Sequence, residues 1–268
     1  MVYKVVSKTT GLTPVRVQLP PSAHSKMSKS KFPDKDFVWS PELAYAVGLI
    51  ATDGNLSKDG RHIAMRSSDY DQLENFKKCL NLENKIGAPK VSGPYSKRIC
   101  YRLQFGDVQF YRWLVNIGLS PSKTYTIGPL QIPDEFFRDF LRGHLDGDGT
   151  IVSYQDCYNA FKNPSYVYTR LFVRFISVSQ IHIEWIRSVV QKLTGLHGDL
   201  FEVRSKNKNR VSIWQLKYMK KESIKLLSWL YYSPNLPCLE RKRQKADGIL
   251  KRITKIQRKP YLRQSLFE

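Results

Sequence analysis

Two aspartates close two similar apolar segments of the chain. Asp53 lies near the end of Ala46–Gly54 and Asp148 near the end of Leu141–Gly149, which is 95 positions later by subtraction. Each segment is mostly apolar and finishes in Asp-Gly. An apolar stretch of this length that stops at a turn residue predicts a buried helix. The acids therefore stand at matching helix ends.

Small residues recur at the same places in both segments. Gly48 and Thr52 precede Asp53, and Gly143 and Gly147 precede Asp148. Positions i and i+4 lie on one face of a helix, so these residues would let two helix backbones approach closely. Both helices would then end at one level, with the two carboxylates as neighbours.

Neighbouring carboxylates repel each other unless cations lie between them. Mg²⁺ prefers carboxylate, carbonyl and water ligands, and the exposed carbonyl groups at helix C-termini, here those of Thr52 and Gly147, can add to the set. Divalent ions of this kind support phosphodiester cleavage. The expected metal ligands are Asp53, Asp148, Thr52 and Gly147, with Mg²⁺ as cofactor and Mn²⁺ or Ca²⁺ as substitutes for binding.

The elements around the two segments repeat in order. Ser40-Pro41-Glu42 is a helix start with Ser as N-cap. Patterns for strands and helices then follow in the order α-β-β-α-β-β-α, twice, with Gln155–Thr169 as an insertion in the second copy. The fold class expected is α+β, as two pseudo-symmetric repeats with both motif helices at their interface. The boundaries predicted are a basic extension over 1–39, repeats over 40–123 and 124–239, and a basic tail over 240–268.

The composition favours a polyanionic partner. Lys and Arg total 44 against 23 Asp and Glu, a net charge of +21. Basic side chains gain free energy by displacing counterions from phosphates, so nucleic acid is the leading candidate. The four cysteines lack zinc-finger spacing. No apolar run is long enough for a membrane span and no signal peptide is evident, so we expect a cytoplasmic, nucleoid-associated or organellar monomer.

The paired motifs resemble the LAGLIDADG homing endonuclease family in its single-chain form. The sharp match covers the two motif helices, and the element order matches over roughly 40–245. The resemblance implies two four-stranded antiparallel sheets that form a saddle over duplex DNA. It also implies that Asp53 and Asp148 are catalytic metal ligands and that Asp146 has a structural role.

The same resemblance implies basic and polar residues beside the acids. The matching place at the end of the fourth strand holds Lys217, Lys220 or Lys221 in the second repeat, of which Lys220 is taken as the catalytic candidate. The first repeat has no lysine there, over Gln104–Asp107, so Arg102 or a residue of the N-terminal extension is the alternative. Gln180 is a further catalytic candidate. Asp69, at the corresponding place in the first repeat, is expected to be a helix N-cap.

DNA contacts should come from alternate residues on one face of each sheet, because strand side chains alternate. Which alternate set faces DNA is left open by the sequence. The candidates are Arg61, Arg66, Lys97, Arg98 and Arg102 in the first repeat, and Arg170, Arg174, Arg204, Lys206, Lys208, Arg210, Gln215 and Lys217 in the second.

The function predicted is site-specific double-strand cleavage of a long, non-palindromic DNA target by metal-dependent hydrolysis, as in intron homing. The alternatives are a LAGLIDADG-type splicing maturase that binds intron RNA, or a non-cleaving DNA-binding protein. The presence of both motif acids favours the nuclease.

Overall fold

The computed structural model describes residues 37–91, 99–205 and 211–257, with no side-chain detail at 90–91 and 253–257. Its first repeat consists of α1 (Pro41–Thr52), β1 (Gly54–Leu56), β2 (His62–Ser67), α2 (Tyr70–Cys79), β3 (Gly87–Val91), β4 (Ile99–Gly106) and α3 (Val108–Asn116). The second repeat consists of α4 (Phe137–Gly147), β5 (Thr150–Asp156), β6 (Tyr168–Ser177), α5 (Gln180–Thr194), β7 (Asp199–Val203), β8 (Ile213–Tyr218) and α6 (Lys220–Leu230). A 3-10 turn (Asp134–Phe136) precedes α4, and α7 (Glu240–Gln257) follows α6.

Each repeat forms one four-stranded antiparallel sheet. The strand order is β1-β2-β4-β3 in the first and β5-β6-β8-β7 in the second. Both sheets bury one face: Ile63, Met65 and Leu103 face inward in the first, and Val173 and Phe175 in the second. The predicted α+β fold of two αββαββα repeats is therefore confirmed.

The two motif helices pack against each other, and only glycine permits the contact. A Cβ at Gly48 would lie 2.1 Å from the Phe140 carbonyl oxygen, and a Cβ at Gly143 would lie 2.1 Å from that of Tyr45. Both distances are far inside van der Waals contact. The predicted close approach of the helix backbones at these two positions is confirmed.

The start of α1 follows from its sequence. Ser40 has an extended backbone, and its Oγ accepts a hydrogen bond from the Leu43 amide at 3.1 Å. This satisfies a backbone donor that the first turn would otherwise leave free. Nine consecutive residues from Leu43 to Ala51 are buried, as the apolar sequence of this segment predicts.

After α6 the chain crosses back over both repeats. The Asn75 side chain in the first repeat donates to the Cys238 carbonyl at 2.7 Å, and Arg142 in the second donates to the Pro237 carbonyl at 2.9 Å. The helix α7 then packs Ala246 and Ile249 inward. No helix within the described part of the chain has the length and apolar character needed to cross a membrane.

Candidate active site

Asp53 and Asp148 end their helices in the same geometry. Both are C-caps with nearly identical backbone angles (φ −91°, ψ −10° and φ −93°, ψ −5°). The Asp53 amide donates to the Leu49 carbonyl at 2.9 Å, and the Asp148 amide donates to the matching His144 carbonyl at 3.2 Å. A glycine follows each acid, and a strand begins at Gly54 in the first repeat and at Thr150 in the second. The two acids are therefore structural equivalents.

The end of the interface is tight enough to bring the carboxylates together. A Cβ at Gly147 would lie 1.9 Å from the Thr52 Oγ1 and 3.1 Å from the Asp53 Oδ2. The Asp53 carboxylate thus reaches the end of the opposite helix, beside Asp148. Gly147 is required here because any larger side chain would occupy the space between the helix ends.

The positive charges near the two acids do not fully offset their burial and mutual repulsion, and their pKa values are raised. Partial burial, followed by the charge of Asp148, raises the pKa of Asp53 to about 6. Loss of hydration also raises the pKa of Asp148, although its side chain still reaches solvent. Lys242 and Lys123 act in the opposite direction on both acids. Such a pair gains stability from a bound cation.

Lys123 is the lysine beside the acids in the first repeat. Its side chain is buried, and Nζ donates to the carbonyl of Gly54, the residue after Asp53. Burial lowers the pKa of Lys123 to about 8, against the attraction of Asp53 and Asp148. The end of β4 holds no lysine, and Lys123 comes instead from the connection between the repeats.

Lys242 is its counterpart in the second repeat. Its buried Nζ donates to the carbonyls of Leu145, Asp146 and Gly149 at 2.5, 2.9 and 2.8 Å. Burial lowers the pKa of Lys242 to about 8. Gly149 follows Asp148 as Gly54 follows Asp53, so the two lysines stand in equivalent places. No shared spacing in the sequence marks the two lysines, because Lys123 follows Ser120-Pro121 by two residues and Lys242 follows Ser233-Pro234 by eight.

The predicted basic and polar partners lie at the first residues of two helices. Lys220 begins α6, and the charges that act on it are those of Arg170 and Lys221 rather than of the acids. Gln180 begins α5 and donates from its exposed amide to Glu184 at 2.7 Å. Lys220 and Gln180 stay predictions, whereas Lys242 and Lys123 are the lysines whose charges act on both acids.

Asp69 occupies the N-cap position of α2, as expected, but its side chain makes no capping hydrogen bond. Its carboxylate instead accepts from Arg241 at 2.9 Å. Because Arg241 immediately precedes Lys242, this ion pair ties the start of α7 to the first repeat. The capping expectation was wrong for the side chain because a long-range partner competes for it.

The structural role predicted for Asp146 agrees with its contacts. Asp146 is buried and its Oδ2 accepts from the Tyr45 hydroxyl at 3.0 Å and from the Leu239 amide at 2.7 Å. One carboxylate thus joins α1, α4 and the segment that leads into α7. Burial raises its pKa to about 6.

The connection that carries Lys123 is held by the second repeat. Ser179 donates from Oγ to the Ile127 carbonyl at 2.6 Å, and His182 donates from Nδ1 to the Gly128 carbonyl at 2.8 Å. The Ile127 amide in turn donates to the Lys123 carbonyl at 2.8 Å. The lysine that serves the first repeat is therefore positioned by the start of α5.

Burial settles which strand residues face outward. In the first sheet Arg66 and Arg102 are directly paired across β2 and β4 and both are exposed, with Arg61 exposed just before β2. In the second sheet Arg174 pairs with Lys217. Register and alternation place Arg170 and Gln215 on that same outward face. Six of the eight candidates that the structure describes thus lie on the outward faces of the two sheets.

The remaining candidates differ. Arg204 follows β7 and pairs with Glu202 at 3.0 Å. Lys97, Arg98, Lys206, Lys208 and Arg210 lie outside the described residues, as does most of the 1–39 extension.

The donor set suits a hard cation. Among residues 37–91, 99–205 and 211–257, no three His, Cys, Asp or Glu side chains gather into a metal-binding group. Two carboxylates with helix-end carbonyls, completed by water or phosphate oxygens, are the ligands that Mg²⁺ takes, whereas Zn²⁺ sites rely on nitrogen or sulfur. The chemistry of Asp53 and Asp148 therefore fits a hard cation such as Mg²⁺.

The sequence matches no model of a known protein family and no curated protein. Comparison of structures gives clear similarities. The I-SmaMI LAGLIDADG homing endonuclease bound to cleaved DNA is 12% identical with a TM-score of 0.50, and the alignment covers 84% of this chain and 92% of that one. The I-GzeII LAGLIDADG homing endonuclease in complex with a DNA target is 14% identical with a TM-score of 0.50, covering 81% and 91%.

Full-length WhiA from Thermatoga maritima is 16% identical with a TM-score of 0.48, and this chain covers 63% of its length. The two endonuclease structures share the two-sheet α+β architecture described above. The resemblance first indicated by the two motif helices is thus confirmed in three dimensions, and the chain has the two-repeat fold of the LAGLIDADG homing endonucleases.

Proposed function

We propose that this chain is a monomeric, divalent-metal-dependent endonuclease that makes a double-strand break in a long, non-palindromic DNA target. The observation that carries the proposal is the twin placement of Asp53 and Asp148 at the ends of two glycine-packed helices, with a buried lysine beside each. A structural turn would need neither the repulsive acids nor the buried lysines.

In this proposal Asp53 and Asp148 hold the metal, with the carbonyls of Thr52 and Gly147 as further ligands. Mg²⁺ is the proposed cofactor, and Mn²⁺ or Ca²⁺ would substitute for binding. The metal supplies an activated water and charge stabilisation at the scissile phosphate. Asp53 and Asp148 would hold the metal from the two repeats, so that each repeat would serve one DNA strand.

Lys123 and Lys242 would contribute charge next to the reacting phosphates. Their pKa values near 8 leave each largely protonated at neutral pH, but close enough to release a proton in mildly alkaline solution. Each Nζ is anchored on backbone carbonyls rather than on a flexible side chain. A fixed cation of this kind stabilises the developing negative charge without reorganisation.

Duplex DNA is the proposed substrate. The outward strand faces carry Arg66, Arg102, Arg174 and Lys217, and the net charge of the chain is +21. The I-SmaMI and I-GzeII structures are DNA complexes. Because the two sheets carry different side chains, each would read a different half-site, and the target would not be a palindrome.

The test is selection of cleaved sites from a randomised duplex library with Mg²⁺ present, followed by Asp53→Asn and Asp148→Asn on the selected target. We expect either variant to lose double-strand cleavage by at least about 100-fold while binding the target in Ca²⁺ as the wild type does. Tyr125→Ala, an exposed substitution in the connection, serves as control.

Full cleavage by either Asp variant would contradict the metal-site assignment. Tight binding of a selected duplex by the wild type without any cleavage would instead support a non-cleaving DNA-binding protein, and tighter binding of the encoding intron RNA would support a splicing maturase.

A further inference from the structure

The hairpin of β5 and β6 exposes an unusual set of aromatic rings. Over Tyr154–Arg170 the exposed side chains include Tyr154 (51%), Tyr158 (82%), Phe161 (78%) and Tyr168 (48%). The corresponding turn in the first repeat, between β1 and β2, spans five residues and contains no aromatic residue. Rings left in water at this density indicate a surface that is covered by a ligand.

Cations accompany these rings. Lys162 Nζ lies 5.6 Å from the centroid of Phe161, and the Arg170 guanidinium lies 6.0 Å from that of Tyr168. Further along the sheet, Lys217 Nζ lies 4.4 Å from the centroid of Phe172. A ring paired with a cation suits a nucleotide, because the ring stacks on the base and the cation meets the phosphate.

The rings continue the outward face of the second sheet. Tyr154 pairs directly with Arg170, and Val152 with Phe172, so Tyr154, Tyr168, Arg170 and Phe172 share a face. This is the face that carries Arg174 and Lys217. The hairpin surface is thus continuous with the basic surface proposed for DNA, and it extends that surface toward the hairpin tip.

Duplex DNA does not account for the rings. In a duplex the faces of the bases are stacked on each other and only their edges are open to a strand in a groove. The segment Asp156–Tyr168 also has one acidic and one basic residue, so it adds no net charge against phosphates. Aromatic side chains of this kind are instead suited to bases that have left the stack.

Arg170 Nε donates to the Asp156 carboxylate at 2.8 Å, whereas Lys162 stands beside Phe161. We propose that the β5–β6 hairpin, through Tyr154, Tyr158, Phe161 and Tyr168 with Lys162 as the main cation, binds an unpaired segment of nucleic acid. The shared chemistry is an unstacked base with its phosphate, which either single-stranded RNA or single-stranded DNA can supply. The proposal does not depend on cleavage, since a chain without nuclease activity would carry the same surface.

The first measurement is fluorescence anisotropy with a labelled oligouridine, an oligothymidine and a random-sequence duplex as separate probes. The triple variant Tyr158→Ala/Phe161→Ala/Tyr168→Ala should bind at least one single-stranded probe about tenfold or more weakly, because stacking on each ring contributes strongly to such complexes. Duplex binding should stay within about twofold of the wild type, because the phosphate contacts that dominate it remain. Oligouridine and oligothymidine together distinguish an RNA from a DNA source.

Tyr125→Ala is the matched control, since Tyr125 is 64% exposed but lies outside the hairpin. It should bind every probe as the wild type does. Circular dichroism of the triple variant checks that the fold is retained; if it is not, the single variants Tyr158→Ala and Phe161→Ala in the loop replace it.

A second measurement locates the contact. Photo-crosslinking of the full chain to 5-bromouracil-containing oligonucleotides, followed by peptide mapping, should label the hairpin. Unchanged single-strand binding by the folded variant, or crosslinks only outside the hairpin, would overturn the proposal. So would a wild-type dimer that the triple variant converts to a monomer, because the rings would then be covered by a second copy. Absence of duplex cleavage by the wild type, together with single-strand binding through the hairpin, would count only against the proposed endonuclease.

Discussion

The two repeats share the same order of helices and strands, but the lysine beside each acid comes from a different part of the chain. In the first, Lys123 comes from the connection between the repeats and has one carbonyl partner, Gly54. In the second, Lys242 comes from α7 and has three. The acids are equivalent by internal repeat, whereas the lysines are equivalent only in space. A duplicated fold can therefore keep a symmetric centre while its supporting residues diverge.

The sheets diverge in the same way. The outward face of the first presents Arg66, Arg102 and Gln104, side chains that form hydrogen bonds with base edges. The outward face of the second intersperses Phe172 and Tyr168 with cations. Equal backbone topology thus carries two kinds of recognition surface.

The contact between α1 and α4 gives the largest expected effect, and it tests whether the two repeats are structurally equivalent. Gly48→Ala and Gly143→Ala should each destabilise the protein by about 3 kcal/mol, because each Cβ would collide with a backbone carbonyl at the same distance. Urea unfolding measures the change. Gly248→Ala in α7 is the control, since a Cβ there meets nothing within 4 Å, and it should stabilise the protein slightly. Clearly unequal changes in the free energy of unfolding for Gly48→Ala and Gly143→Ala would show that the two helices are not equivalent.

The lysines test the difference between the repeats. Lys123→Met and Lys242→Met should each lower cleavage by about 100-fold, as loss of a fixed charge-stabilising group does. Because the lysines serve different halves, nicked plasmid should accumulate with opposite strands cut in the two variants, as read on denaturing gels. Lys245→Met, exposed on the same helix as Lys242, is the control. If both variants leave the same strand intact, the assignment of one lysine to each half is wrong.

A smaller effect should follow from loosening the connection that carries Lys123. Ser179→Ala removes the hydrogen bond to the Ile127 carbonyl and should slow cutting of one strand by about fivefold, since such a bond contributes about 1 kcal/mol. Ser179→Thr keeps the hydroxyl and should restore the rate. Equal slowing of both strands would indicate general destabilisation instead of a role in positioning.

The smallest effect concerns the acids themselves. The folded pKa of Asp53, about 6, lies above its ordinary value of 3.8, so the folded state holds a proton that the unfolded state loses and stability falls as pH rises through this window. Saturating Mg²⁺ should raise Tm by about 4 °C at pH 8 and have little effect at pH 5.

Without metal, Asp53→Asn and Asp148→Asn should each raise Tm at pH 8, because either substitution removes one partly buried charge and the mutual repulsion of the two carboxylates. Differential scanning calorimetry with EDTA compares the two variants. Equal Tm values would place the two acids in equivalent environments as well as equivalent positions.

Local sequence patterns were sufficient to predict the helices and strands and their order. The Ser40 cap, the apolar run of α1 and the small residues at Gly48 and Gly143 are each legible within a few residues, and the repeat then orders the elements. The close approach of the acids followed from the same spacing. These features are short-range, or they are copied twice in the chain.

The lysines were not predictable in this way. Lys123 meets Gly54 across 69 positions, and Lys242 meets Gly149 across 93. No periodicity encodes such contacts, and a buried lysine has the same letter as a solvated one. The sequence did not determine which strand residues face outward, for a related reason. Polar side chains occur on both faces of the strands, and only burial distinguishes the two faces.

The ion pair of Arg241 with Asp69 has a consequence for synthesis of the protein. A chain leaves the ribosome from its N-terminus, so both motif acids emerge well before Lys242. Until Arg241 reaches Asp69 and α7 docks, the nascent protein holds its two acids without their second lysine. In the proposed endonuclease, the order of synthesis would therefore delay completion of the active site, and a chain interrupted before α7 would lack Lys242.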